Sequence, residues 1–382
     1  MNISIIKKFI PDQSKENRFL SDKMKSTLLS ALIFFIVARY QTMSLNYTIY
    51  KISMILTGVI ALVLILNNIT KYKKIHYIVF AVLAVQMILI KNPNLLYIYF
   101  LALAFIDCDM KKVVKVYMIS NIFFFVTYLI MNVTGIRASE LVKGRNDFGY
   151  GNPNGAFIGM FAIWLSYLYL RFDDIEVLDV VLLVLFAFIM YKQTNTRTGL
   201  LTVAAIVAVI PFIKKLNING KFMRTLIPAI PIGIALISLI IALVFKENAF
   251  LNDVLSSRPL YWNRYLTHAV NGLSVLGHPS DVKEYLFVPK LPFDSGYLTL
   301  MYTFGILGFI LFMGFYTHSV YILCKENRKK DIMLILAIGI YAFAESMFTD
   351  IGTNISIIYM VTTMGCININ AVKERRKKCR KA

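Results

Sequence analysis

The sequence predicts an all-α, polytopic membrane protein of about 12 transmembrane helices with one long extracytoplasmic loop. Three observations carry this. The 382 residues are 58% hydrophobic and only 16% charged, with a mean hydropathy of +0.65, far too apolar for a soluble chain of this length. The apolar residues come in runs that span, or nearly span, a hydrocarbon core. Lys and Arg concentrate in alternate connections between those runs, as the positive-inside rule requires.

In chain order, residues 1–27 are mostly polar, with no short apolar core and no small-residue cleavage site, and read as a cytoplasmic tail. Apolar windows then start near Leu28, Ile52, Ile78, Leu95, Val116, Asn154, Val177, Gly199, Leu226, Ser295, Ile332 and Asn354. The transmembrane domain is therefore 28–370, and 371–382 form a basic cytoplasmic tail. With the N-terminus inside, roughly 28 of the 41 Lys and Arg lie inside, about 12 lie outside, and Arg39 sits within the first helix. Both termini are then cytoplasmic, and the expected location is the plasma (inner) membrane. The formal net charge of +20 is mainly this topology signal, not the single basic face of a nucleic-acid-binding protein, so no nucleic-acid partner is expected.

The outer connections become 45–51, 91–94, 134–153, 192–198, 246–294 and 348–353. All four cysteines, Cys108, Cys324, Cys366 and Cys379, fall at or near the inner side, which leaves no external disulfide. No internal repeat is visible, which argues against a transporter built from duplicated halves.

Several motifs have plain structural readings. Asp107-Cys108-Asp109 has a D-x-D spacing used for divalent metals, but Lys111 and Lys112 follow at once and no soluble nucleotide-binding domain accompanies it; helix-end polar residues are the better reading. Asp173-Asp174 reads the same way. Asn92-Pro93-Asn94 and Asn152-Pro153-Asn154 are both outer, and each reads as an asparagine cap with proline in the first turn. Around the second, Gly149, Gly151 and Gly155 also permit close approach of the backbone to a ligand. His76, His268, His278 and His318 lack the spacing of a zinc site, so neither metal nor cofactor is expected.

The outer cations are more informative. Arg197, in Thr194-Asn195-Thr196-Arg197-Thr198-Gly199, is held close to the membrane surface at the start of the eighth helix, where a guanidinium suits bidentate phosphate binding. Its plain alternative is a snorkelling interfacial arginine. Arg258, in Ser256-Ser257-Arg258-Pro259-Leu260-Tyr261-Trp262, stands at the N-terminus of a short loop helix that the serines can cap, with Trp262, Tyr265, Leu266 and Ala269 forming one lipid-facing or core-facing stripe. Arg145 is a third outer cation able to assist an anionic ligand. The loop closes with His278 and with Asp294-Ser295 at the mouth of the tenth helix, where Asp294 serves equally as a cap. Glu345, intramembrane in this topology, is costly unless paired, with Arg39 as an available partner; Asp350 is a further outer acid.

Taken in order, Thr-x-Thr-Arg-Thr-Gly at a helix start, a late outer loop with Ser-Arg-x-x-x-Trp, Asp-Ser-Gly-Tyr-Leu and Gly-Ile-Leu-Gly (305–308) resemble the O-antigen polymerase and ligase superfamily, above all its polysaccharide repeat-unit polymerases. The resemblance runs from about Asn146 to Asp350; the first five helices match only in hydropathy. It implies a GT-C-like fold and a metal-independent, inverting glycosyltransferase acting on undecaprenyl-pyrophosphate-linked oligosaccharides as donor and acceptor. It also implies membrane lipid, a chain-length regulator and a flippase as partners. Arg197 and Arg258 match the arginines proposed to hold the donor pyrophosphate. Ligases usually carry His-Asn before a similar Tyr-Leu; Asp294-Ser295 stands there instead, which favours polymerase and leaves a histidine base unsupported.

The chemistry fits the residues. A sugar on a lipid pyrophosphate already has a good leaving group, so the tasks are to neutralise its charge and to deprotonate the acceptor hydroxyl. Arginines serve the first. Asp294 is the leading base, then His278, then Glu345. The alternatives are a ligase-like glycan transferase and, from another class, a flippase or transporter of lipid-linked oligosaccharide. The latter should line a central path with charge, whereas here the charges that topology does not explain gather in outer loops.

Overall fold

The computed structural model describes residues 20–43, 45–137, 139, 141–142, 144–268, 271–280 and 292–364. Within them, every apolar stretch named above contains a helix. In order these are α1 (Asp22–Thr42), α2 (Tyr47–Asn67), α3 (Lys74–Ile90), α4 (Asn94–Leu103), α5 (Met110–Val133), α6 (Pro153–Arg171), α7 (Val177–Thr194), α8 (Arg197–Lys215) and α9 (Met223–Leu243). Two short loop helices follow, α10 (Ala249–Val254) and α11 (Arg258–Leu266), then α12 (Gly296–Lys325), α13 (Lys329–Tyr341) and α14 (Ile357–Met364). A two-residue hairpin, β1 (Leu141–Val142) with β2 (Arg145–Asn146), is the only sheet among the described residues. The protein is therefore all-α. Among the described residues, six helices, α2, α5, α7, α8, α9 and α12, are long and apolar enough to cross a membrane, and α3 and α4 are shorter apolar helices.

Burial sorts the helices into centre and rim. Only 22% of the most apolar window of α2 is buried, against 56% for α12. Ile52, Ile55, Val59, Leu62 and Leu66 of α2 all face outward, as do Leu178, Val181, Leu182 and Leu185 of α7. So much exposed aliphatic surface is stable only in an apolar solvent. The inner helices α6, α12, α13 and α14 pack instead around Phe161, Trp164, Tyr316, Tyr341 and Tyr359, all fully buried.

Local chemistry sets the helix ends. Asn152 accepts the Asn154 N–H at 2.9 Å and Pro153 takes the first helical position of α6, as the sequence predicts. Ser295, not Asp294, caps α12, its hydroxyl accepting from Leu298 N–H. α1 starts six residues before the expected Leu28, because Ser21 caps it and Lys25 then pairs with Asp107 at 3.1 Å. α13 stops at Tyr341, and the chain runs through 342–356 without a helix before α14. Carbonyls in the last turn of α13 are claimed from outside: Gly296 N–H donates to Ala342 O at 2.7 Å, and Tyr297 OH to Gly339 O at 2.9 Å.

A second departure is a break inside α12. Gly305 has φ 74° and ψ 176°, which only glycine adopts readily. The loop segment 274–278 enters the break and satisfies the freed backbone groups: Ile306 N–H bonds Ser274 O, Leu307 N–H bonds Val275 O, and His278 N–H bonds Thr303 O. Gln86, buried on α3, donates its amide to both Phe304 O and Leu276 O. A Cβ on Gly305 would stand 2.3 Å from Gly277 N, and one on Gly277 2.5 Å from Thr303 O, so the two glycines make the docking possible. Irregular backbone is tolerated in a membrane protein where protein covers it and its polar groups are paired. The long loop is thereby clamped to the bundle.

Candidate functional site

The end of the bundle that carries the long loop contains a cavity of about 720 Å³. Its wall combines Arg145, Arg197 and Arg258 with Asp253 and Asp294, and four asparagines, Asn152, Asn154, Asn195 and Asn252. Residues separated by up to 149 positions in sequence meet here because three elements begin or end at this point.

The first is the α6–α8 contact. A Cβ on Gly199 would fall 2.2 Å from the Phe157 ring, so glycine lets the start of α8 press onto α6. Arg197 then opens α8 at the rim, exposed and without an ion-pair partner among the described residues. Beside it, Arg145 is anchored by neutral acceptors alone: Nε donates to Thr194 O at 2.7 Å, and Nη2 to Asn154 Oδ1 at 2.6 Å and to Thr196 Oγ1 at 3.2 Å. Burial pulls its pKa down, but a guanidinium stays charged at any working pH. Its position is fixed while its charge remains uncompensated by direct contact.

The second element is the turn before α11. Ser256 and Ser257 both take left-handed conformations, φ 56° and 62°, which residues with a Cβ seldom do. Ser257 N–H bonds Asn252 O at 2.6 Å, and the reversed chain starts α11 at Arg258. The serines were expected to cap this helix, but in this conformation the Ser257 side chain makes no capping bond. The turn aims Arg258 inward instead. α11 is then held by Trp262 and Leu266, buried against Ala242, Phe293, Leu298 and Tyr302, so the aromatic stripe faces the core.

The third element is the pair of acids around Arg258. Its Nη2 lies 3.4 Å from Asp294 Oδ2 and 3.3 Å from Glu345 Oε1. Asp294 is partly exposed to the cavity, whereas Glu345 is buried behind it, in the connection between α13 and α14. The Thr198 hydroxyl also reaches Glu345 Oε1, at 3.5 Å. Both acids thus face the Arg258 guanidinium, Asp294 from the cavity and Glu345 from the protein interior. Two buried atoms at this wall, Arg258 Nε and Asn252 Oδ1, have no hydrogen-bond partner among the described residues. A buried donor left unmatched is costly, and a ligand oxygen would satisfy it.

The structure thus gathers Arg145, Arg197, Arg258 and Asp294 around one space, with Glu345 in contact with Arg258. His278 stands apart. Its Nε2 is 2.6 Å from Gly272 O, its ring lies against Tyr302, and its carbonyl accepts from Asn92, so it braces the docked loop. The partner foreseen for Glu345, Arg39, pairs instead with Asp350 at 2.6 Å. Because α13 ends early, the 342–356 connection turns Glu345 toward Arg258 and Asp350 toward α1. Ala269 lies outside the described residues. Sequence reading missed Thr194, Thr196 and Thr198 as anchoring groups, and Asn154 beyond its cap; the threonine-rich run before Gly199 was the available signal. Among the described residues, no three His, Cys, Asp or Glu side chains gather to hold a metal ion.

Three guanidiniums against two cavity acids favour an anion, and a carboxylate beside them can accept a proton. No family model, curated protein or solved structure matches the chain.

Proposed function

We propose that the protein is a membrane glycosyltransferase that joins undecaprenyl-pyrophosphate-linked repeat units into a surface polysaccharide at the outer leaflet of the plasma membrane. In this reading all the apolar helices cross or enter the membrane in a GT-C-like arrangement, both termini are cytoplasmic, and the long loop faces outward. The observation that carries it is the convergence of three arginines and Asp294 on one cavity at the loop end.

The donor pyrophosphate lies against Arg197 and Arg258, with Arg145 adding charge from a fixed position. Arg258 Nε, buried and unmatched, donates to a phosphate oxygen. Asp294 takes the proton from the acceptor hydroxyl as that oxygen bonds to the anomeric carbon. The bond from the anomeric carbon to the phosphate oxygen breaks on the opposite face, and lipid pyrophosphate leaves with its charge matched by the arginines. Asparagine, serine and threonine side chains around the cavity supply hydrogen bonds for sugar hydroxyls, and Tyr261 supplies an aromatic face.

The test supplies purified protein with lipid-linked repeat unit alone. A ladder of oligomers is expected. If the ladder is absent while an added second acceptor becomes glycosylated, the protein is a ligase. If neither product forms although the protein moves the intact lipid-linked unit across vesicles, the transporter reading replaces this one.

A further inference from the structure

The opposite end of the bundle holds another cavity of about 720 Å³, which the proposed transfer does not use. It opens where residues 108–111, the ends of α6 and α8 and the start of α13 meet. Lys111, Lys214, Arg328, Lys329 and Lys330 line it, together with Asp109, Asp173 and Asp331.

Each acid is already engaged within the wall. Asp109 accepts the Lys111 N–H at the start of α5, at 3.0 Å. Asp173 takes the Lys330 ammonium at 3.3 Å. Asp331 is buried, and it accepts Arg328 Nε at 2.7 Å, the Tyr169 hydroxyl at 2.7 Å and the Tyr359 hydroxyl. That network ties α6, α13 and α14 into a rigid floor. Arg328 also reaches Glu326, outside the lining, at 3.4 Å.

The lysines are less well matched. Lys214 and Lys329 donate only to backbone carbonyls, those of Asp173 and Lys214, and the Lys111 ammonium has no partner among the described residues. Ammonium groups on flexible stems that face a common space act as adjustable point charges for a phosphate. Basic hollows between transmembrane helices accept anionic headgroups in this way. The excess of cations over acids in the lining matches a group carrying up to about two negative charges.

We propose that this cavity binds a phosphate group, presented either by the headgroup of an anionic phospholipid or by a soluble phosphate ester.

The test uses the full chain in nonionic detergent, titrated with phosphatidylglycerol, phosphatidylcholine and glycerol phosphate, with bound species counted by native mass spectrometry. Phosphatidylglycerol is expected to be retained over phosphatidylcholine. Replacing Lys111 and Lys214 together by Ala should weaken it about thirtyfold. Lys74→Ala with Lys221→Ala, a pair outside the cavity lining, serves as the control for diffuse charge and should leave binding unaltered. Displacement of the lipid by glycerol phosphate assigns a soluble ligand; retention of the lipid against it assigns the headgroup. The proposal is overturned if neither phosphatidylglycerol nor glycerol phosphate binds, or if the two lysine pairs weaken binding equally.

Discussion

The two ends of this molecule carry cavities of equal size, each lined by more cations than acids, yet they are built differently. At the loop end the cations are arginines. Arg145 is pinned by a carbonyl, an amide and a hydroxyl, and Arg258 is clamped between two acids with one donor left over. At the lysine-rich end the acids are pinned, and the cations are mostly ammonium groups on flexible stems. Fixing a planar guanidinium specifies where an anion sits and how it is oriented; surrounding a space with lysines specifies only that an anion enters. The first arrangement suits a reaction, the second suits retention.

Substitutions can break or sharpen this contrast. The largest effect is expected for Asp294→Asn, which removes the proposed base: chain growth should fall by about 10²–10⁴-fold. Ser295 caps α12 and Glu345 stays beside Arg258 at 3.3 Å, so the helix start and one carboxyl for the buried cation survive the change. Near-normal oligomer yield from the variant would move the base elsewhere. Arg258→Ala should come next, losing about 10²–10³-fold in chain growth. Arg197→Lys keeps the charge and loses the fork, and should slow chain growth about tenfold. A lysine there that works as well as arginine would erase the distinction between the two ends.

Glu345→Gln is expected to act more on stability than on rate, costing less than about tenfold in chain growth at pH 7. Thermal melts compare the variant with the wild type: a lower midpoint is expected, because Glu345 holds the buried Arg258 at 3.3 Å, and an unchanged midpoint would show that this contact carries no stability. The smallest effect on chain growth, below about threefold, is expected for the Lys111→Ala, Lys214→Ala pair, since distant sites contribute independently.

Much of the helical layout was legible in the sequence, because hydropathy acts over single segments. The long loop, Arg197, Arg258 and Asp294 were also readable, since polar residues stand out in an apolar chain. Three features were not. Gly305 sits in an apolar run that continues as helix on either side, and only the docking of Gly277 shows why the helix breaks there. Glu345 meets Arg258 rather than Arg39 because α13 ends at Tyr341, and that end depends on bonds donated by Gly296 and Tyr297. His278 had the right chemistry for a base, yet its ring is spent on Gly272 O and Tyr302. All three depend on contacts between segments distant in sequence, to which local pattern is blind.

The most direct test of the central claim is the affinity of a short-chain polyprenyl pyrophosphate for the purified protein and for its Arg197→Ala, Arg258→Ala variant. If the loop-end arginines hold the leaving pyrophosphate, the variant should bind it at least about a hundredfold more weakly. Equal affinity in the two proteins would contradict the account.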